Sequence, residues 1–179
     1  MYIAIKNDEG IEFADAEFSY LTELLRSVDK TLDEVNNQIS QADAFDVECL
    51  YDKCEYFIGV GFCAMQRYLF DTLQDQELDP GLARQLGPKN LEGVAIAQII
   101  HAAANYWKHS PEWDICLTEF TSRSQNTIDR VLHGRDFSDY PLAALLSDLS
   151  EEGALLLSNC LPILRDWRLA VYLYVTNNV

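Results

Sequence analysis

The sequence has few basic residues and a large excess of acidic ones. Its 179 residues contain 13 Lys and Arg against 29 Asp and Glu, which gives a formal net charge of −16. The electric field of a protein with this charge repels phosphate backbones at long range and attracts basic surfaces. The charge therefore disfavours unaided RNA binding and favours a protein partner with a basic surface.

No Cys-X-X-Cys pair is present, and the cysteines are scattered through apolar stretches. An odd number of cysteines at irregular spacing is typical of buried thiols in a reducing compartment rather than of a disulfide framework or a zinc site. We therefore expect neither a metal nor a cofactor. The five positions are Cys49, Cys54, Cys63, Cys116 and Cys160.

A long uninterrupted apolar run is also missing. The most apolar segment, GALLLSNCLPILRDWRLAVYLYV, contains Pro162, Arg165, Asp166 and Arg168 and does not supply the ~20 apolar residues of a membrane span. The N-terminal MYIAIKNDEGIEF has no basic region followed by an apolar core, so it does not resemble a secretory signal. These observations predict a cytoplasmic protein without a membrane segment.

Helical periodicity dominates what is present. Over residues 18–39 the apolar residues recur at alternating spacings of three and four, a heptad seam, and the other faces carry acids, including Asp29, that we expect in solvent. We interpret this helix as one arm of an antiparallel hairpin, with self-association through the seam as the alternative. The second arm is predicted over residues 43–74, where Gly59 and Gly61 indicate close packing of another helix, with a bend as the alternative.

The rest of the chain predicts a loop followed by further helices. Asn90 is expected to cap the third helix, which ends near His109, and Ser110-Pro111-Glu112 contains the residues that restart a helix. Alternation is brief and confined to MYIAIK, so a strand is expected at most there. Residues 1–179 are therefore predicted to form a single all-α domain, a helical bundle built on the long antiparallel hairpin. The predicted ranges are 76–90 for the loop and 90–109, 111–122, 125–133, 139–149 and 151–174 for the helices.

A stripe of polar residues runs along the third predicted helix. His101, Asn105 and His109 are spaced i, i+4 and i+8, which places them on one face. At the C-terminal end of a helix His109 is favoured in its charged form, suited to donating a proton or holding a phosphate. Trp107 and Trp113 crowd the same corner, so simple packing is the alternative interpretation. A shared metal ion is not expected, because the two histidines are about 12 Å apart along the helix.

A second polar group lies in RSQNTIDRVLHGR, the most basic short stretch of the chain. Arg123, Asn126, Arg130 and His133 fall on one helical face. They indicate a site for phosphate or for an acidic partner, whereas the alternative is salt links to neighbouring acids and to the acidic hairpin. The candidate binding residues are His101, Trp107, Trp113, Arg123, Arg130 and His133.

The segment ANYWKH, together with the helical hairpin before it, resembles the HEPN superfamily, small all-helical domains of bacterial toxin–antitoxin, abortive-infection and CRISPR-linked phage-defence systems. Ribonucleases of that family carry an arginine, a polar residue and, after a few variable residues, a histidine. Asn105 and His109 match the polar residue and the histidine, and Ala104 stands in the place of the arginine. The resemblance covers roughly residues 15–125, followed by a helical extension over residues 125–179.

The resemblance implies metal-independent RNA cleavage, in which the histidine is a general acid or base, the arginine stabilises charge on the phosphate and two copies often face each other across a dimer. Without the arginine, the electrostatic part of such catalysis is missing. We therefore expect a catalytically degenerate protein that acts through protein contacts, with a homodimer as one arrangement. Two alternatives stay open: an RNase that uses Asn105 and His109 with a basic residue such as Lys108 or Arg67, and an acidic immunity or nucleic-acid-mimic protein.

Overall fold

Helices make up most of the chain that the computed structural model describes, which comprises residues 3–7, 10–43, 46–74, 76–113, 120–136, 140–150 and 155–178. Within these residues there are seven α-helices and one two-stranded sheet, so the prediction of an all-α helical bundle is confirmed. None of the helices in this part combines the length and apolarity needed to cross a bilayer. The helices are α1 (Ala16–Ile39), α2 (Val47–Leu73), α3 (Pro80–Ala83), α4 (Ile96–His109), α5 (Ser122–Leu132), α6 (Pro141–Leu149) and α7 (Cys160–Asn177).

A short antiparallel sheet precedes the helices. Its strands are β1 (Ile3–Asn7) and β2 (Gly10–Ala14). The sequence predicts a strand only in the first of these segments. The second, GIEFA, has apolar residues at just two alternate positions, Ile11 and Phe13, which is too short a pattern to indicate a strand by itself.

Helices α1 and α2 form the predicted antiparallel hairpin. Asp15 caps α1, because its Oδ1 accepts a hydrogen bond from the Phe18 amide at 3.1 Å. Its Oδ2 accepts from the Tyr68 hydroxyl at 2.8 Å, so the start of α1 lies beside the end of α2. The heptad seam is buried inside the chain, which favours its interpretation as a hairpin arm. The buried seam residues are Leu21, Leu25, Val28, Leu32 and Val35.

Two glycines of α2 let neighbouring side chains touch the helix backbone, and the predicted close packing is confirmed. A Cβ atom on Gly59 would lie 1.9 Å from Cδ1 of Trp107, and one on Gly61 would lie 2.4 Å from Cδ1 of Leu157. Tyr56 packs edge-on against Trp107, with 5.4 Å between the ring centroids. Trp107 is therefore a packing residue between α2 and α4.

Helix α4 begins later than the sequence predicts. Asn90 does not cap it, because its Oδ1 accepts hydrogen bonds from the backbone amides two and four residues later, at 3.1 and 2.8 Å, and so closes a turn. Gly93 in this turn has a φ of 81°, a left-handed conformation that interrupts an α-helix. The helix starts at Ile96 and ends at His109, where its end is predicted.

The helix predicted over residues 111–122 falls largely on residues 114–119, which lie outside the described residues. Its start is wrong: Ser110–Glu112 is a single 3-10 turn, and Trp113 has extended backbone with φ −98° and ψ 111°. Helix α5 begins three residues before its predicted start, because the Thr121 hydroxyl accepts a hydrogen bond from the Ser124 amide at 3.2 Å and caps it.

Helix α7 also starts later than predicted, after a 3-10 turn over Leu157–Asn159, and residues 151–154 of that prediction lie outside the described residues. Asp29 is the reason, because its carboxylate accepts hydrogen bonds from the Leu157 and Ser158 amides at 2.7 and 3.1 Å and holds the turn. Asp29 is only 7% exposed, so the expectation that it lies on a solvated face is wrong.

Helix α7 connects the end of the described chain to its beginning. Trp167 Nε1 donates a hydrogen bond to the Ala83 carbonyl at 2.9 Å. Arg168 is 3% exposed, and its guanidinium donates to the Tyr68 hydroxyl at 2.6 Å and to the Asp15 carboxylate. A buried cation of this kind is tolerated because it is paired and hydrogen-bonded.

The cysteines follow the prediction in part. Cys54 and Cys160 are buried thiols, and burial raises the pKa of Cys160 to about 12, so this thiol stays protonated. Cys63 is half-buried, whereas Cys49 is exposed and the expectation of burial is wrong for it. Cys116 lies outside the described residues.

Candidate functional site

A polar cavity of about 440 Å³ lies between α3, α4 and α5. Helix α4 contributes a histidine and two amides to its wall, α5 contributes two arginines, and the residue that ends α3 contributes a third. Members of both polar stretches, His101 and Asn105 from the first and Arg123, Asn126 and Arg130 from the second, therefore line one cavity. We call it the arginine cleft and define it by Arg84, His101, Asn105, Arg123, Asn126 and Arg130.

Helix α5 presents its polar face to the cleft because it buries the opposite face. Ile128 and Val131 are 5% and 0% exposed, whereas Arg123, Asn126 and Arg130 are exposed. The spacing in the sequence predicts this shared face. The cavity itself could not be predicted from this spacing, because its position depends on which helices pack beside α5 in the folded protein.

Arg84 enters the cleft from the end of α3. Asp79 caps that short helix through a 2.8 Å hydrogen bond from the Leu82 amide to its Oδ1, and the Arg84 amide donates to the Pro80 carbonyl at 3.2 Å. These bonds set the backbone position from which the arginine extends. The sequence predicts only a connecting loop over residues 76–90, in which no periodicity identifies Arg84.

Gln66 of α2 joins the polar side chains of α4. Its Nε2 lies 2.9 Å from Nδ1 of His101 and donates to Oδ1 of Asn105 at 3.0 Å. Its Oε1 accepts a hydrogen bond from Nζ of Lys108 at 2.7 Å. Nδ2 of Asn105 in turn lies 3.1 Å from Nε2 of His101. Three polar residues of α4 therefore share one amide, which is 5% exposed.

Sequence reasoning missed Gln66, although a signal for it exists. Phe62, Gln66, Leu69 and Leu73 are spaced four, three and four residues apart, so the glutamine occupies a position on the core face of α2. A buried amide needs hydrogen-bond partners. The pattern indicates a buried polar network, but it does not say which residues complete it.

Positive charge converges on His101. Burial, followed by Arg84, Lys108, Arg123 and Arg130, lowers the pKa of His101 to about 4. The imidazole is therefore neutral at pH 7. These four cations are drawn from the 13 Lys and Arg of a chain whose net charge is −16. Charge in the cleft thus opposes the charge of the whole protein.

Among the described residues, the arginines of the cleft have no ion-pair partner. Asp129, the acid adjacent to Arg130, instead accepts a hydrogen bond from Nε2 of Gln125 at 2.7 Å. Burial lowers the pKa of Arg84, Asp79 raises it, and the nearby Arg130 lowers it again. The alternative interpretation of the basic stretch, salt links to acids, therefore does not account for the arginines of the cleft. An anion bound in the cleft would reduce the repulsion between these arginines.

A second cavity of about 270 Å³ adjoins the arginine cleft, and Asn105 and Arg123 line both. His109 and Trp113 line the second cavity. The His109 side chain is 51% exposed, and its Nδ1 lies 3.4 Å from Oε1 of Glu112. His101 and His109 therefore lie in neighbouring cavities on either side of Asn105.

Two of the predicted binding residues lie outside both cavities. Trp107 packs on the backbone of Gly59. His133 ends α5 in a left-handed conformation with a φ of 52°, and its Nδ1 lies 3.6 Å from Oε2 of Glu92. The polar face of α5 is thus divided: Arg123 and Arg130 line the arginine cleft and His133 does not.

Lys108 and Arg67 are the basic residues that the sequence offers in place of the motif arginine. Lys108 reaches the site only through Gln66. Arg67 is 75% exposed and pairs with Asp71 of its own helix at 2.8 Å. The guanidinium that lies in a cavity with both Asn105 and His109 belongs to Arg123.

No cluster of three or more His, Cys, Asp or Glu side chains able to hold a metal ion occurs in the part of the chain that the structure describes. The donors that line the arginine cleft are guanidinium, amide, hydroxyl and imidazole groups. Guanidinium groups repel metal cations and attract anions. The chemistry of the cleft is therefore that of an anion-binding site.

Comparison with known proteins gives no family assignment. No family model, no curated protein and no solved structure matches the chain. Function is therefore inferred from the geometry of the two cavities.

Proposed function

We propose that the protein binds a nucleotide-sized phosphate ester in the arginine cleft. The observation that supports this function is the convergence of Arg84, Arg123 and Arg130 on one concave surface without carboxylate partners in the described chain. Guanidinium groups donate paired hydrogen bonds whose geometry matches phosphate oxygens. The ligand supplies the negative charge that the cleft lacks.

The neutral groups of the cleft suit the same ligand. Asn105 and Asn126 supply amide donors and acceptors, and the neutral His101 supplies one of each. Ser122, at the first turn of α5, also lines the cavity, so the positive end of that helix dipole faces the ligand. These groups can bind phosphate oxygens and the polar edge of a ribose or base together.

The net charge of the protein limits the size of the ligand. The net charge of −16 repels any part of a long polyanion that extends beyond the cleft. A mononucleotide places its negative charge only beside the arginines. The cavity volume of about 440 Å³ also falls within the range of roughly 300–1,000 Å³ that is common for small-molecule sites.

Titration calorimetry with AMP and ADP, at low and high salt, tests the proposal. We expect affinity that decreases with salt and that falls at least about tenfold in Arg123→Gln and in Arg130→Gln. Arg26→Gln, on the exposed face of α1, changes the charge equally outside the cleft and is the matched control. Equal losses in all three variants, or no nucleotide binding by the wild-type protein, would refute the proposal.

A metal-independent RNase is the second candidate function, and the adjoining cavity supports it. His109 and Asn105 line that cavity with Arg123, which would stabilise the charge that the motif arginine stabilises in HEPN ribonucleases. The exposed His109 would exchange a proton with the 2′-hydroxyl or the leaving oxygen. Cleavage of RNA that persists in EDTA, is lost in His109→Ala and Arg123→Gln and is kept in Arg26→Gln would establish this activity. No cleavage by the folded protein refutes it.

A protein partner with a basic surface is the third candidate, and the exposed residues of the hairpin helices support it. Both α1 and α2 carry exposed acids and exposed large apolar side chains, residue types that occur in binding surfaces. Membership of the HEPN superfamily and a role in toxin–antitoxin or phage-defence systems stay predictions from the sequence. The exposed large apolar residues of these two helices are Tyr20, Leu24, Tyr51, Tyr56 and Phe70.

A further inference from the structure

The hydrogen bonds around His101 have a direction that can be followed inward from Lys108. An ammonium group can only donate, so Nζ of Lys108, at 2.7 Å, identifies Oε1 of Gln66 as the acceptor. Nε2 of Gln66 then faces α4, 2.9 Å from Nδ1 of His101 and 3.0 Å from Oδ1 of Asn105. Because Oδ1 of Asn105 accepts from Gln66, it is Nδ2 of Asn105 that lies 3.1 Å from Nε2 of His101.

His101 is therefore held between two amide NH₂ groups, one at each ring nitrogen. A charged imidazolium would face a donor on both sides, and either neutral tautomer places one N–H against an amide donor. The two tautomers differ in where this donor–donor contact lies. A proton on Nδ1 would place it against Gln66, which is 5% exposed, whereas a proton on Nε2 places it beside Asn105 on the cleft wall.

We infer that Gln66 is a positioning residue that fixes His101 in the tautomer protonated on Nε2, so that His101 and Asn105 form a pair of N–H donors for one oxygen of the ligand phosphate. The inference rests on the proposed function of the cleft and specifies how the phosphate is held. A phosphate oxygen within hydrogen-bond distance of both nitrogens, which are 3.1 Å apart, accepts from both and offsets the repulsion between the two donors. On the Gln66 side the contact is buried, and no ligand oxygen could relieve it.

The charges around His101 support a neutral donor. Among the described residues the charged groups that act on this imidazole are all cations, and each disfavours a second ring proton. Helix α2 faces the ring with the amide of Gln66 and with the uncharged ring of Phe70, 5.7 Å away between centroids. The donor pair therefore persists across the physiological pH range. The cations are Arg84 at the end of α3, Lys108 on α4, and Arg123 and Arg130 on α5.

Long-range ¹H–¹⁵N correlation spectra of the ¹⁵N-labelled protein test the tautomer directly, with His101→Gln used to assign the signals. We expect the proton of His101 on Nε2 in the ligand-free protein at neutral pH. Addition of inorganic phosphate should shift the Nε2 signal more than the Nδ1 signal. A proton on Nδ1, a charged ring, or phosphate binding that leaves Nε2 unchanged would overturn the inference.

Gln66→Glu tests the role of the amide, because a carboxylate accepts from Nδ1 but cannot donate to it. We expect the proton of His101 to move to Nδ1 and the affinity for inorganic phosphate to fall at least about tenfold. Gln98→Glu is the matched control, because it adds the same charge to the cleft wall without a hydrogen bond to His101. It should weaken phosphate binding and leave the proton on Nε2.

Lys108→Met provides a second variant in case Gln66→Glu does not fold. Without the ammonium group the Gln66 amide can rotate, so a mixture of both tautomers is expected. Retention of the Nε2 proton alone in a folded Gln66→Glu protein, or in Lys108→Met where Gln66→Glu does not fold, would overturn the inference. If the wild-type protein binds no phosphate ligand, the proposed function fails, whereas the tautomer in the ligand-free protein still decides the role of Gln66.

Discussion

Nε2 of Gln66 on α2 lies 2.9 Å from Nδ1 of His101 on α4, although the two residues are 35 positions apart in the chain. The same pair of helices is packed closely through Gly59 and Trp107. The orientation of the imidazole in the arginine cleft is therefore set by the interface between two core helices. Changes in that interface should alter both stability and ligand binding.

Gly59→Ala should destabilise the fold by about 2 kcal/mol, because the new methyl group would lie 1.9 Å from the indole of Trp107. Chemical denaturation measures this change. In a Trp107→Ala background the same substitution should be neutral or stabilising by up to about 1 kcal/mol, since Ala has the higher helix propensity. Equal effects in the two backgrounds would show that the ring does not cause the cost.

Asp29→Asn should lower the free energy of unfolding by about 2–3 kcal/mol, because the Leu157 and Ser158 amides would lose a charged acceptor and one would face an NH₂ group. Asp33→Asn, on the exposed face of the same helix, is the control and should change stability by less than about 0.5 kcal/mol. Similar melting temperatures for the two variants would contradict this role for Asp29.

Stability should fall on acidification partly through His101. Its pKa is about 4 in the folded protein against an ordinary value of 6.5, so between these values the unfolded chain binds more protons and the fold loses stability as the pH decreases. Above pH 6.5 the imidazole is neutral in the folded and the unfolded protein, so this loss of stability is absent. His101→Gln should reduce the stability difference between pH 7 and pH 4 by on the order of 1 kcal/mol, since solvent screens this partly exposed ring.

Denaturation at a series of pH values measures that difference. Asn126→Ala, which removes an uncharged side chain from the same cleft, is the control and should retain the wild-type dependence. A His101→Gln curve parallel to the wild-type curve over this range would show that the imidazole does not titrate in this way.

Arg130→Gln should stabilise the ligand-free protein by roughly 0.5 kcal/mol, because Arg130 and Arg84 repel each other and no carboxylate in the described chain pairs with either. Arg135→Gln is the matched control: Arg135 pairs with Asp148 at 2.5 Å, so its loss should give no gain in stability. Thermal melts without ligand measure both changes. A destabilised Arg130→Gln protein would show that Arg130 contributes to the stability of the fold.

The main hairpin could be predicted from the sequence because its signals are local and repeated. Residues 18–39 carry a regular seam, and Gly59 and Gly61 in an apolar helix indicate close approach. The prediction of a helix cap at Asn90 is wrong because asparagine favours helix caps and turns through the same side-chain bond. Gly93, which adopts a left-handed conformation, decides between them.

The cleft could be predicted only in part. The spacing of His101, Asn105 and His109, and that of Arg123 and Arg130, identifies two polar faces. Their meeting depends on the packing of α4 against α5, which no local pattern encodes. Arg84 lies in a loop, and Gln66 is a single amide in an apolar helix, so both acquire their roles only from neighbours distant in sequence.

The buried bond between Asp15 and Arg168 links positions separated by 153 residues. A ribosome therefore releases the acid that caps α1 long before it releases the guanidinium that neutralises that acid. Until then the carboxylate can accept hydrogen bonds from the Phe18 amide and the Tyr68 hydroxyl, whereas its charge is not neutralised by Arg168. Completion of this buried ion pair, and with it of this part of the core, therefore has to follow translation of α7.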